Sequence, residues 1–223
     1  MVEGPSEKVL LDLWAPRAFP GHQFLVKPHQ GKGTLPNARA RPDPRKRGLL
    51  DLLPATLRAY SESCSDDEAV LVLVDADDDD CEHLLRRMRA LAAEVCPKLR
   101  VVFRIAIEET EAFYLGDLRA IKAAFPEANV ERARELIPDS RPPKGTAEAF
   151  AEIVGDDTLR KVEWAERIGP KLTIHPEQSR SLSFQKLHAG IHRLVSQRPA
   201  PKRRRAKHWK ARYSSQRKQS VRR

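Results

Sequence analysis

Cysteine is scarce in this chain, at three residues, and no two of them form a CxxC pair. Cys64, Cys81 and Cys96 are an odd and widely spaced set, which argues against a disulfide framework and a zinc site and suits a reducing compartment. Long apolar runs are also lacking. None approaches the roughly 18 residues of a membrane span, and the N-terminus does not have the basic-then-apolar layout of a secretion signal. The expectation is a cytoplasmic protein with no membrane segment. A nucleotide-binding P-loop is missing as well. Gly31-Lys32-Gly33-Thr34 resembles the end of one, but Val26 stands where the first glycine of GxxxxGK is required.

The 223 residues, 40% hydrophobic and 32% charged, suffice for one moderate core with appendages. The formal charge of +10 is unevenly placed. Of 41 basic residues, twelve lie between Arg198 and Arg223, where there is no acid; residues 1–197 keep 29 basic against 31 acidic and a net charge near −2. The segment 198–223 is expected to be a disordered basic arm. Lys202, Arg203, Arg204, Arg205, Lys207, Lys210 and Arg212, with Trp209 among them, could neutralise phosphates and stack on bases of a nucleic acid. A solvated tail, or one that meets an acidic partner, explains the same composition.

Apolar runs of strand length alternate with amphipathic stretches of helix length, the pattern of an α/β fold with a parallel sheet and flanking helices. Met1 and Val2 read as the stub of a first strand, followed by a helix capped at Ser6 that carries Val9, Leu10, Leu11, Leu13 and Trp14. Phe24 to Val26 reads as a second strand, His29 to Gly48 as an exposed loop, and Leu49 to Ser61 as a helix. Ala69 to Val74 is a central strand buried on both faces, ending in the acidic run Asp75 to Asp80. A helix bearing Leu84, Met88 and Leu91 follows, then a strand over Val101 to Ile107. Beyond Asp117 the pattern is helical, with a break at Pro138 to Pro143 and a closing helix near Phe184 to Val195.

Three acidic groups stand at three predicted strand ends: Glu3 with Glu7, Asp75 with Asp77, and Glu109 with Glu111. In a parallel sheet these ends share one edge, where α/β folds place their sites. A two-residue period turns Asp75 and Asp77 to one face, and their repulsion calls for a cation. Oxygen ligands of this kind suit Mg²⁺ or Mn²⁺, which polarises a phosphoryl oxygen and activates water. Taken singly, each group has a plainer reading: Asp75 to Asp80 as a solvated turn, and Glu109 and Glu111 as acids complementing a helix dipole.

Val2 to Glu7, His29 to Gly33, Val74 to Asp77, Arg104 to Ala106, Glu109 to Asp117 and Ser179 to Phe184 together resemble an uncharacterised Toprim-like bacterial family. The likeness runs from residue 2 to about 195. The Glu3-Gly4 step and Asp75-x-Asp77 are similar to the Toprim domains of topoisomerases, primases and overcoming-lysogenization-defect nucleases, and the Toprim nuclease of the PARIS system is a relative. The resemblance implies a Toprim-like catalytic domain over 1–125, with Glu3, Asp75 and Asp77 as catalytic and metal-holding residues. Glu7, Glu109, Glu111, His29 and Lys32 would support them, and a helical extension over 126–197 would pack on the sheet. It further implies a nuclease that acts on RNA, tRNA among the candidates, or DNA. That nuclease would be the effector of a phage-defence system with an ABC- or AAA-type ATPase partner, and a homodimer is compatible with it. A Toprim first strand has several apolar residues before its Glu, whereas only Met1 and Val2 precede Glu3. Two alternatives remain. A haloacid-dehalogenase phosphatase also uses DxD, but near its N-terminus; a non-catalytic Toprim-like module would dock on an ATPase or nucleic acid without cleaving.

Overall fold

The computed structural model describes residues 1–39, 43–140, 142 and 145–196. The basic segment 198–223, with its expected nucleic-acid contacts from Lys202 to Arg212, lies outside the described residues. Among those described, the fold is mixed α/β, with a two-stranded parallel sheet and nine α-helices. In chain order the elements are α1 (Pro5–Ala18), α2 (Leu49–Ser63), β1 (Val70–Asp75), α3 (Cys81–Val95), β2 (Val101–Ala106), α4 (Glu111–Leu115), α5 (Leu118–Ala124), α6 (Val130–Glu135), α7 (Thr146–Val154), α8 (Lys161–Ile168) and α9 (Leu182–Ser196).

β1 and β2 pair from Val70 opposite Val101 to Asp75 opposite Ala106. Two shorter extended segments continue the sheet on the other side of β1. The Met1 ammonium donates to the Leu71 carbonyl and Leu73 N–H donates to the Met1 carbonyl, while Val2 forms a parallel bridge with Pro28. The predicted first strand is thus a two-residue addition to β1. The second is corrected: no strand forms at Phe24 to Val26, and pairing falls instead on Pro28, where the Lys27 carbonyl accepts from Val2 N–H and His29 N–H donates to the Val2 carbonyl. The cap of α1 is corrected too. Gly4 is the N-cap and Ser6 lies inside the first turn, because the Glu7 carboxylate reaches back to accept the Gly4 N–H at 2.8 Å.

The period of two along β1 divides the core into two layers. Val70, Val72 and Val74 face one cluster, with Leu49, Leu50, Leu53 and Leu57 of α2 and Leu84, Met88 and Leu91 of α3. Leu73 faces the other, which joins α1 to α4, α5, α7, α8 and α9 through Trp14, Phe113, Phe150, Trp164 and Phe184. Trp14 tilts on Phe184 at 5.1 Å and donates its indole N–H to the Thr173 carbonyl at 2.8 Å, so the sheet is covered from Val2 to Ile191 by one continuous apolar layer. That layer crosses residue 125 without a seam.

Loop 29–48 returns to α2 through a tight neck. A Cβ on Gly48 would lie 2.5 Å from the Gly33 Cα, and Gly33 itself has φ +70°. Across this neck Leu49 and Leu50 N–H donate to the Gly31 and Lys32 carbonyls at 2.9 and 2.7 Å. Lys32 is thereby held at the carboxyl end of β1.

Candidate active site

β1 ends at Asp75, whose odd position in the strand turns it to the same side as Leu73, towards α1 and α4. There it meets two other chain segments. Its backbone N–H donates to Glu3 Oε1 at 2.9 Å, and its Oδ1 accepts the Thr110 hydroxyl at 2.9 Å. Glu3 is fixed in turn by its own carbonyl, which accepts the Gly31 N–H at 2.9 Å. The expected meeting of the first and third strand ends is therefore present, and one hydrogen bond spans the 72 positions between Glu3 and Asp75.

The remaining acids surround this pair. Glu7 is buried in the first turn of α1, accepting from Gly4 N–H and from the Ser6 hydroxyl at 2.9 Å. Glu111, 1% exposed, opens α4 from the β2 side, with its carboxylate 3.7 Å from the Lys161 ammonium. Lys161 opens α8 and lies closer to Glu109, at 2.7 Å. The other Glu109 oxygen accepts the Ala147 N–H at 3.0 Å, and the Glu108 carboxylate accepts the Thr146 hydroxyl. The β2 end is in this way bonded to both α7 and α8.

Burial, with crowding of charge added to it, raises the proton affinity of Asp75, Glu3 and Glu111. Burial pushes the Asp75 carboxyl well above the carboxylate range, and the neighbouring Glu3, Glu7 and Glu111 add to it. Burial also lifts Glu3 to about 7; the Asp75 N–H opposes this and the charge of Asp77 reinforces it. Glu111 likewise rises to about 7 through burial, with Lys161 opposing and Glu109 adding. Burial works against the charged form of Lys161, but Glu111 and Glu109 outweigh it and hold the ammonium protonated beyond its usual range. The buried Tyr114 phenol is driven well above its ordinary value, by burial and then by Glu111, Glu7 and Asp75.

Asp77 does not follow the strand period. The strand ends at Asp75, and Asp77 adopts φ +48°, in the left-handed region that aspartate tolerates. The expectation that one strand face presents both carboxylates is replaced by a turn, in which Asp77 N–H donates to the Glu108 carbonyl and its carboxylate meets Lys32 at 3.1 Å. Lys32 also binds Asp79 at 2.7 Å and the Ala76 carbonyl at 2.7 Å. The Lys32 ammonium thus pairs with Asp77 and Asp79. Asp77 remains near enough to Glu3 to raise its proton affinity.

The donor set of Glu3, Asp75 and Asp77 suits a hard divalent ion, and such an ion would offset the burial and the repulsion that lift Asp75 and Glu3. Among the described residues no three His, Cys, Asp or Glu side chains are gathered as a metal-holding group, so the fit is one of chemistry and charge. His29 stands apart. Its Nδ1 lies 3.0 Å from the Val2 carbonyl, and its charged neighbours are the N-terminus and Lys27. The Ser179 to Phe184 segment serves as a helix start: Asp139 accepts from the Ser181 hydroxyl at 3.1 Å and from Ser183 N–H at 3.3 Å.

Three participants escaped the reading of strand ends. Thr110 was visible between Glu109 and Glu111 as a hydroxyl in an acidic step. Tyr114 follows Glu111 by three positions on the same helix. Lys161 carried no local signal, since it reaches the rim from 52 residues beyond Glu109.

A family model described as "Domain of unknown function (DUF4276)" matches residues 2–192. No curated protein matches the chain, and no solved structure matches it.

Proposed function

We propose, from the premise that the chain belongs to the DUF4276 family, that it is a divalent-cation-dependent hydrolase of phosphodiesters with its active site at the carboxyl rim of the sheet. One observation carries the reading: Glu3 and Asp75, distant in sequence, are locked together by a 2.9 Å hydrogen bond and share a charge burden that a cation would relieve. Glu3, Asp75 and Asp77 would hold Mg²⁺ or Mn²⁺, and the ion would supply Lewis-acid activation of a phosphoryl oxygen and of water.

The chain's own residues account for the rest. Glu3 Oε1 is occupied by the Asp75 N–H, which leaves Oε2 to take a proton from an attacking water. Lys32, released from Asp77 and Asp79, would bring its ammonium to the phosphate. Thr110 orients Asp75. Lys161 offsets part of the negative charge of Glu109 and Glu111, which makes the rim less repellent to a polyanion.

The Toprim-like resemblance supports nucleic acid as the substrate class, RNA with tRNA among the candidates, or DNA. It also supports a role as effector of an ATPase-linked phage-defence system. A second reading, a non-catalytic module docking on an ATPase or nucleic acid, is favoured by the Lys32 ammonium lying on Asp77 and Asp79.

Incubation of the purified protein with RNA and with DNA in Mg²⁺ or Mn²⁺ should give cleavage. Asp75→Asn and Glu3→Gln should each lower it by about 100-fold or more. Undiminished cleavage in both variants would refute the assignment; metal-dependent cleavage of nothing, with co-purification of an ATPase, would establish the docking reading.

A further inference from the structure

A second concentration of charge, of the opposite sign, lies away from the carboxylate rim. Among the described residues β2 pairs only with β1, and over its free edge runs a groove between α3 and α9. The groove contains a cavity of about 200 Å³, lined by the apolar surfaces of Pro97, Leu99 and Phe103 and by the side chains of Arg89, Arg104 and Arg193. Each arginine comes from a different element: α3, β2 and α9.

Arg104 is the fixed member. It is half-buried, its Nη1 donates to the Phe103 carbonyl at 2.7 Å, and its Nε donates to the Lys186 carbonyl. The guanidinium lies across Gly190 of α9, where a Cβ would come within 2.4 Å of Nε, so a larger residue there would contest its position. Arg89 and Arg193 are exposed at the rim. No carboxylate answers this trio: among the described residues none of the three forms an ion pair. Burial first, then the charges of Arg193 and Arg89, hold Arg104 below its ordinary basicity. Like charges gathered around a partly buried cationic centre cost stability unless an anion completes them.

The chemistry of the lining narrows the anion. Guanidinium groups present paired N–H donors that match phosphate oxygens, and three of them from separate elements can surround one tetrahedral anion. The apolar lining beside them offers nothing to a bare inorganic ion but suits the flat face of a base. We propose that the groove over the open edge of β2 binds a nucleotide, with its phosphate among Arg89, Arg104 and Arg193 and its base against Pro97 and Leu99. The site is distinct from the carboxylate rim and does not rest on catalysis there. The nucleotide could be free or a unit of a strand.

Binding is measured on the full chain in chelator, where no metal-dependent cleavage can occur, by calorimetry with AMP and by anisotropy with a short labelled single-stranded RNA. Arg89→Glu and Arg193→Glu change exposed side chains, so circular dichroism should report an unaltered fold. Each should weaken binding by about tenfold, and Arg193→Lys by much less. Loss confined to AMP identifies a free nucleotide as the ligand, and loss confined to the RNA identifies a strand. If neither ligand binds, or if both bind the two Glu variants as tightly as wild type, the inference is overturned.

Discussion

Glu3 shows how a single side chain can serve chemistry at the expense of the fold. Its carboxyl rises from 4.5 to about 7 on folding, so between those values the folded chain holds a proton that the unfolded chain has released. Stability from this group therefore falls as pH rises through that window, and the loss is complete above about 7. The shift sets an upper bound of about 3 kcal/mol. Glu3→Gln keeps an oxygen to accept the Asp75 N–H and cannot ionise. In chelator the variant should match wild type near pH 4 and exceed it at pH 8 by about 2 kcal/mol, read from urea midpoints. Parallel pH profiles for the two proteins would show that Glu3 is not held in a charge-averse setting.

Between elements, the decisive device is the neck that places Lys32. The Gly33 and Gly48 backbones touch there, and the first N–H groups of α2 donate to the Gly31 and Lys32 carbonyls. Gly48→Ala inserts a methyl group 2.5 Å from the Gly33 Cα, and because the obstacle is backbone, the two segments must separate. The expected cost is about 2 kcal/mol by chemical denaturation, with cleavage reduced further than stability explains, since Lys32 moves with the neck. A variant as stable and active as wild type would mean that the neck does not position the lysine. The ties of the β2 end to Thr146 and Ala147 of α7 and to Lys161 of α8 act in the same way on the other flank. The helices after residue 125 are thus part of how the rim is held.

Across the chain, the separated charges make stability a function of pH and cation together. Glu3, Asp75 and Glu111 all hold protons more tightly when folded, so their joint contribution to the metal-free protein falls from about pH 5 to pH 8, offset in part by the Met1 amine, which burial holds down to about 5 and which acts in the opposite sense. A divalent ion competes with those protons. Millimolar Mg²⁺ or Mn²⁺ should raise the melting temperature by roughly 3 °C at pH 8 and by far less at pH 5, and Asp75→Asn should abolish the rise. A shift that is equal at both pH values, or that survives in Asp75→Asn, would place any metal elsewhere.

The strongly patterned parts of the fold were legible beforehand. Ala69 to Val74 read as a strand buried on both faces, and the stripes of α3 and α9 as helices with one apolar side, because hydrophobic pattern and β-branched content translate into local geometry. The meeting of Glu3 with Asp75 followed from that same reasoning, since parallel strands end on one side. Phe24 to Val26 misled because an apolar triplet does not say which residues will find a pairing partner; hydrogen bonding to Val2 selected Pro28 instead. No period could foretell the left-handed turn at Asp77, the ammonium of Lys32 upon it, or Lys161 reaching Glu109 from a distant helix. Those depend on contacts between segments far apart in the chain, and only packing, which decides which charges lose water and which neighbours they meet, could settle them.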